Sequence, residues 1–257
     1  MHIKRSEFIT MAGSVLGAMI FTKPVDLLFP KVKVSEFKAI AFDGLAILDP
    51  RPVFKLAQDL FPEHGAEFVD LWKTKQFEYT WLHNITGTYT DFFTVTRDAL
   101  VFSAKALKIE LDQQKEKQLM HAFLNLRTWP DVADALRAFK NAGIRLALLS
   151  NFTDEMMQKA IQNSGLNGVF EFTLSTDKVR KFKPDPIAYQ MAIDAFKLTK
   201  PDILFVPFAG WDAAGAKQFG YKTFWANRLG LPAEELGAYP DAQGKDLKEL
   251  VTYCEAK

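Results

Sequence analysis

Cysteine is almost absent from this chain, because its 257 residues include a single one, Cys254. One cysteine excludes a disulfide within the chain and a cysteine-based metal site. An excess of one charge is also missing, since 32 Lys and Arg residues face 31 Asp and Glu residues and form no basic block. This balance favours neither nucleic acid nor an acidic membrane as a partner. The length predicts a sizeable core in one or two domains.

The N-terminal apolar stretch, residues 11–21, is too short for a comfortable membrane span. Lys4 and Arg5 precede it, and the string 4–9 resembles a twin-arginine export signal with one arginine replaced. We therefore expect residues 1–24 to be a signal peptide that directs the protein to the bacterial periplasm. The alternative is an amphipathic N-terminal helix, docked on the body of a cytoplasmic protein.

Short apolar runs predict buried strands along the body of the chain, which begins near Val34. The predicted strands are 37–42, 144–149, 169–174, 203–208 and 222–226. Helical segments at 154–164, 187–196 and 213–219 lie between them. Strands that alternate with helices predict an α/β fold with a Rossmann-like, doubly wound parallel sheet.

Residues 51–125 interrupt this alternation, because they carry helical periodicity and few strand signals. The segment is best interpreted as a helical cap domain inserted after the first strand. The sheet domain would then consist of residues 34–50 and 126–257.

Polar side chains fall at the ends of predicted strands or in the loops that follow them. They are Asp43, Ser150 with Asn151, Lys183, and Asp212. In a parallel sheet these ends converge on one edge, where α/β proteins place their chemistry. Each residue alone is more readily explained as a turn residue, a helix cap or, for Lys183, a solvated side chain. Together they suggest a site in which Asp43 is a nucleophile, a general base or a metal ligand.

The order of these residues resembles the four motifs of the haloacid dehalogenase superfamily. Two longer strings, 76–82 (QFEYTWL) and 203–220, are similar to the type II L-2-haloacid dehalogenases. The resemblance extends over about residues 36–230. It implies a Rossmann-like core with a helical cap, a homodimer built through cap helices, and hydrolysis of small 2-haloalkanoic acids without a metal or other cofactor.

The resemblance also implies roles for individual residues. Asp43 would displace halide from C2 of the substrate and form an ester, which water then hydrolyses. Lys183 would hold Asp43 ionised and oriented, and Asp212 would pair with Lys183 and help to activate water. Ser150 and Asn151 would bind the substrate carboxylate.

Four further residues are predicted by the same resemblance to contact or support the substrate site. Tyr189 would support the lysine, and Lys73 aligns with an arginine that binds the leaving halide. Phe92 and Trp211 would form apolar walls, although plain core packing explains those two rings equally well.

The chain departs from the family pattern near the site. Leu45 stands where superfamily phosphatases carry a second aspartate, and leucine can neither transfer a proton nor bind magnesium, so a phosphatase is disfavoured. The Tyr and Thr that normally follow the nucleophile have no counterparts. Pro207 and Ala209 replace a Ser and an Asn that handle the lytic water. A hydrolase with another substrate and a non-catalytic binding protein therefore remain alternatives to a dehalogenase.

Overall fold

The computed structural model of the protein describes residues 36–256, so the expected signal peptide lies outside the described residues. The strands are β1 (Ala39–Phe42), β2 (Leu48–Asp49), β3 (Arg127–Thr128), β4 (Arg145–Ser150), β5 (Phe172–Ser175), β6 (Ile203–Val206), β7 (Lys222–Ala226) and β8 (Ala242–Gly244). The helices are α1 (Gly44–Ile47), α2 (Arg51–Leu60), α3 (Gly65–Thr86), α4 (Phe92–Ala106), α5 (Gln113–Leu124), α6 (Val132–Asn141), α7 (Asp154–Asn163), α8 (Pro186–Phe196), α9 (Gly210–Phe219) and α10 (Leu247–Glu255). Short 3₁₀ helices cover Thr176–Lys178 and Lys200–Asp202.

Six parallel strands form the central sheet, in the order β5-β4-β1-β6-β7-β8. Strand β1 lies between β4 and β6, and all of its residues are buried. Ile40 and Phe42 pack into the core on one face of the sheet, whereas Ala39 and Ala41 pack on the other. Burial on both faces explains why the strand is a continuous apolar run, and the predicted α/β fold is confirmed.

Helices α2 to α5 form the cap between two short strands that pair with each other. Leu48 of β2 faces Thr128 of β3 in this antiparallel ribbon. Aspartate N-caps begin two of the cap helices, since Asp91 accepts a hydrogen bond from the Thr94 amide and Asp112 does the same in α5. The ribbon brings the two ends of the cap together beside the sheet. In residues 36–256, no helix combines the length and apolar character of a membrane span.

The structure corrects several predicted boundaries. The strand predicted at 203–208 ends at Val206, because Pro207 has no amide hydrogen to continue the ladder. The segment predicted at 169–174 forms a strand only over Phe172–Ser175. Helix α9 begins at Gly210, so Asp212 lies inside its first turn. Strand β8 is three residues long and forms no apolar run, whereas α10 carries apolar residues at helical spacing, at Leu247, Leu250 and Cys254; neither element is among the sequence predictions.

Candidate active site

Asp43 lies directly after β1, where its backbone leaves the sheet. Its amide donates to the Val206 carbonyl at 2.9 Å, which extends the β1–β6 ladder by one residue. Its side chain caps α1, with Oδ2 accepting a hydrogen bond from the Leu45 amide at 3.1 Å. Gly44 is required here because a Cβ would lie 2.6 Å from Ser150 Oγ. The strand end and the short helix together fix the carboxylate at the edge of the sheet.

Lys183 joins the two acidic residues of the predicted site. Its Nζ lies 2.7 Å from Asp43 Oδ1 and 2.5 Å from Asp212 Oδ2. The side chains of Lys183 and Asp212 are 1% and 2% exposed, whereas that of Asp43 is 13% exposed. Asp43 is therefore the member of this triad that a small molecule can reach.

The triad carries two carboxylates for one ammonium, which sets its electrostatics. Burial raises the pKa of Asp212 to about 6, and the nearby charge of Asp43 acts in the same direction. Burial opposes the charge of Lys183, but the two carboxylates raise the pKa of Lys183 above its ordinary value. Lys183 is thus held as an ammonium ion between its partners.

Tyr189 is fully buried and contacts the triad at Asp212. Its hydroxyl donates to Asp212 Oδ1 at 2.7 Å, and burial raises the pKa of Tyr189 well above its usual value. A Cβ on Gly215 of α9 would lie 2.7 Å from both the Tyr189 hydroxyl and Pro184 Cβ. Glycine at this position therefore lets the tyrosine and the lysine loop reach Asp212. Tyr189 contacts the triad, not the pocket above Asp43.

Ser150 and Asn151 follow β4 and line the pocket above Asp43. The Ser150 hydroxyl accepts a hydrogen bond from the Phe152 amide at 3.1 Å. Asn151 Oδ1 accepts one from the Lys183 amide at 2.9 Å, so this side chain holds the lysine loop as well as the pocket wall. The side chain of Asn151 thus connects the end of β4 to the loop that carries Lys183.

The pocket above Asp43 is small and enclosed by aromatic rings from both domains. Phe92 of the cap and Trp211 of α9 line it. Trp211 packs against Phe77 with ring centroids 5.1 Å apart, and Phe92 lies 5.5 Å from Phe152. The pocket volume is about 20 Å³, roughly the space that one water molecule occupies.

The structure does not bring Lys73 to this pocket. Its Nζ pairs with Asp70 one turn earlier on α3 at 2.8 Å, and the residue lines a neighbouring cavity instead. Ala209 does line the Asp43 pocket, but its methyl group provides no hydrogen bond there. Neither Lys73 nor Ala209 therefore places a hydrogen-bond donor in the Asp43 pocket, in contrast to the family residues with which they align.

A cluster that sequence reasoning missed holds the loop after the nucleophile. The Trp129 indole donates to the Leu45 carbonyl at 3.0 Å, and the Arg228 guanidinium donates twice to the Ala46 carbonyl, at 2.8 and 3.1 Å. Arg228 also forms a bidentate pair with Asp131, at 2.9 and 3.0 Å. Burial opposes ionisation of Asp131, but hydrogen bonds from Arg228 and a backbone amide keep its pKa below the ordinary value.

Asn84 of the cap was missed as well. Its side-chain amide donates to the Phe182 carbonyl at 2.7 Å, and its oxygen accepts from the Phe182 amide at 2.9 Å. Phe182 immediately precedes Lys183. Asn84 therefore holds the cap to the backbone next to Lys183 through two hydrogen bonds. No local sequence pattern identifies the contacts of Asn84 or Arg228, because their hydrogen-bond partners are 98 and 182 residues away in the sequence.

Fold and site together describe a capped α/β protein in which a buried ammonium holds a partly exposed carboxylate. Residues 37–220 match the family model of haloacid dehalogenase-like hydrolases. The chain is 38% identical to "Haloacetate dehalogenase H-2" of Moraxella sp. (strain B), over 81% of this chain and 93% of that protein. It is also 38% identical to the "(S)-2-haloacid dehalogenase" of Pseudomonas sp. (strain YL), over 85% of this chain and 94% of that one.

A solved structure of the L-2-haloacid dehalogenase from Xanthobacter autotrophicus, with chloropropionic acid covalently bound, is similar as well. It has a TM-score of 0.77, shares 29% identity, and the match covers 84% of this chain and 97% of that one. The chain therefore belongs to the haloacid dehalogenase-like hydrolases and, within them, to the L-2-haloacid dehalogenase family.

Proposed function

We propose that the protein hydrolyses the carbon–halogen bond of 2-haloalkanoic acids through an ester on Asp43. The observation that supports it most strongly is the 2.7 Å contact between Asp43 Oδ1 and Lys183 Nζ at the floor of an apolar pocket. The ammonium holds and orients the carboxylate through a charge-assisted hydrogen bond, and a carboxylate oriented toward the pocket can attack carbon.

The reaction has two steps that share one aspartate. First, a carboxylate oxygen of Asp43 bonds to C2 of the substrate while the carbon–halogen bond breaks and halide leaves with the bonding electrons. Second, water attacks Cγ of Asp43, the ester bond breaks at that carbon, and a 2-hydroxy acid leaves with inverted C2. One proton of the attacking water ends on the hydroxyl oxygen of the departing 2-hydroxy acid, the other passes to solvent, and Asp43 is restored as a carboxylate.

The remaining residues would orient the substrate and exclude water. Ser150 and the Asn151 amide lie at the edge of the pocket and would receive the substrate carboxylate. Phe92 and Trp211 remove solvent from the reacting carbon, which strengthens the attack of a charged nucleophile. Asp212 and Tyr189 would hold Lys183 in place, since both are buried behind it.

The assembly and the destination of the protein are part of the proposal. Exposed apolar side chains on cap helices support a homodimer formed through the cap: Leu82 is 52% and Ile85 is 81% exposed on α3. Export to the periplasm is supported by the basic and apolar N-terminal pattern at residues 1–24.

Halide release from chloroacetate and L-2-chloropropionate tests the activity. Asp43→Asn should abolish release, whereas Asp134→Asn, on the exposed face of α6, should leave it unchanged. A single turnover in ¹⁸O-labelled water should place the label in Asp43, because water attacks the aspartyl carbon. Wild-type protein that releases no halide from either acid would refute the proposal and favour a binding protein, in line with the missing polar groups at Pro207 and Ala209.

A further inference from the structure

A second cavity adjoins the Asp43 pocket at the junction of cap and core. Its volume is about 450 Å³, within the roughly 300–1,000 Å³ typical of small-molecule sites. Leu45, Phe77 and Phe208 line both spaces, so the two are neighbours across these three side chains. The Asp43 pocket itself holds only about 20 Å³. The C2 substituent of a substrate therefore needs the larger cavity.

The lining of this side cavity is mostly apolar. Leu45 and Phe77 form its boundary with the Asp43 pocket, and further apolar walls come from α2, α3, α5 and the loops of the core. These additional apolar residues are Pro50, Phe54, Ala66, Val69, Phe123, Trp129, Phe208 and Leu229. A wall of this kind favours methylene groups over a polar ligand.

Three cations also line the side cavity, but each already has an acidic partner. Arg51 pairs with Asp49 at 2.7 Å, Lys55 pairs with an aspartate one turn later on α2, and Lys73 pairs with Asp70 at 2.8 Å. A second carboxylate on the ligand would have to compete with these partners. The cavity thus favours a neutral apolar group.

We propose that the side cavity binds the apolar C2 substituent of the substrate. The preferred substrates are then 2-haloalkanoic acids whose alkyl chain is longer than a methyl group. In this arrangement the carboxylate lies at Ser150 and Asn151, C2 lies over Asp43, and the chain passes Leu45 and Phe77. This inference rests on the proposed dehalogenation, which it makes more specific.

Binding of unhalogenated acids tests the cavity without any chemistry. Acetate, butanoate, hexanoate and octanoate can be titrated into the wild-type protein by calorimetry. Affinity should rise about fourfold for each methylene that enters the cavity, which is the gain expected for burying such a group. Affinities that stay level from butanoate to octanoate would overturn the inference.

Variants at the wall of the side cavity show where the alkyl chain of the ligand binds. Ala66→Phe places a ring at the exposed mouth, and Gln58→Phe does so from α2; each should reduce the octanoate-to-acetate affinity ratio at least tenfold. Thr74→Phe adds the same ring to an exposed position of α3 outside the cavity and should leave the ratio unchanged. A ratio that neither cavity variant lowers would contradict the proposal.

Halide release then separates this inference from the activity on which it rests. The expected result is a higher kcat/KM for 2-bromohexanoate than for 2-bromopropionate. Release from both acids with the reverse preference would overturn the side-cavity assignment and leave dehalogenation intact. An absence of release from any haloacid would refute the dehalogenation, and the affinity series with unhalogenated acids would still decide what the cavity binds.

Discussion

Replacing Tyr189 by Phe tests how the buried triad controls activity. The substitution deletes the hydroxyl that donates to Asp212 Oδ1 at 2.7 Å and keeps the ring. That ring packs against Phe205 and Tyr221, at centroid distances of 5.5 and 6.3 Å, so its packing should survive. The variant therefore removes one hydrogen bond to a buried carboxylate and little else.

The size of the effect follows from the strength of that bond. A hydrogen bond to a charged group contributes about 1.5–3 kcal/mol, and about 1.4 kcal/mol corresponds to one pKa unit. The bond favours the ionised form, so its loss raises the pKa of Asp212. From about 6 in the wild type, that pKa should rise further in the variant, by an amount that corresponds to the strength of the lost bond.

The pH dependence of kcat/KM for halide release measures this shift. Ionised Asp212 helps to hold Lys183 against Asp43, so activity should fall as Asp212 takes up a proton. The acid limb of the profile should lie near pH 6 for the wild type and about 1–2 units higher for Tyr189→Phe. At pH 9, above both values, the two proteins should differ little.

Tyr221→Phe is the matched control. It also deletes a buried tyrosine hydroxyl, which donates to the Tyr189 carbonyl at 2.7 Å and does not touch Asp212. Its acid limb should stay where the wild-type limb lies. An unshifted limb in Tyr189→Phe, or an equal loss of rate at every pH, would refute the reasoning and leave Tyr189 a purely structural residue.

Two further substitutions test the contacts around the site. Arg228→Met leaves Asp131 buried without its charged partner and removes two donors from the Ala46 carbonyl, which should cost about 3–5 kcal/mol of stability and lower Tm by about 6–20 °C in a thermal melt. Gly215→Ala inserts a Cβ 2.7 Å from the Tyr189 hydroxyl, so kcat should fall roughly tenfold and the acid limb should rise as in the tyrosine variant.

Each of these substitutions has a control on the same element or nearby. Arg137→Met removes an exposed arginine of α6 that pairs with Asp134 at 3.1 Å, and Tm should change little. Gly210→Ala is the control in α9. Its Cβ would meet only side-chain atoms from outside the helix, and the nearest belongs to Glu234 at 3.2 Å. A Tm loss as large in Arg137→Met, or an acid limb that Gly215→Ala leaves in place, would contradict the assigned roles.

Sequence patterns predict those parts of the structure that depend on residues close together in the chain. The parallel strands are continuous apolar runs because both faces are buried, and Asp43, Ser150 and Lys183 could be placed at one edge from that alone. The contacts of Asn84 and Arg228 could not be predicted, because they join segments far apart in the chain. The position of Lys73 depends on how α3 is rotated against the core, which a single sequence does not specify.

The ribbon of β2 and β3 links the cap to the segment that follows Asp43. The residue that follows β3, Trp129, donates through its backbone to Ile47 at 3.1 Å and through its indole to Leu45 at 3.0 Å. The cap's return connection is thus bonded to the helix that Asp43 caps. A displacement of the cap would therefore be transmitted through these hydrogen bonds to the segment that holds Asp43. Grafting a relative's cap onto this core would transplant part of the catalytic geometry, so access and reactivity would evolve together.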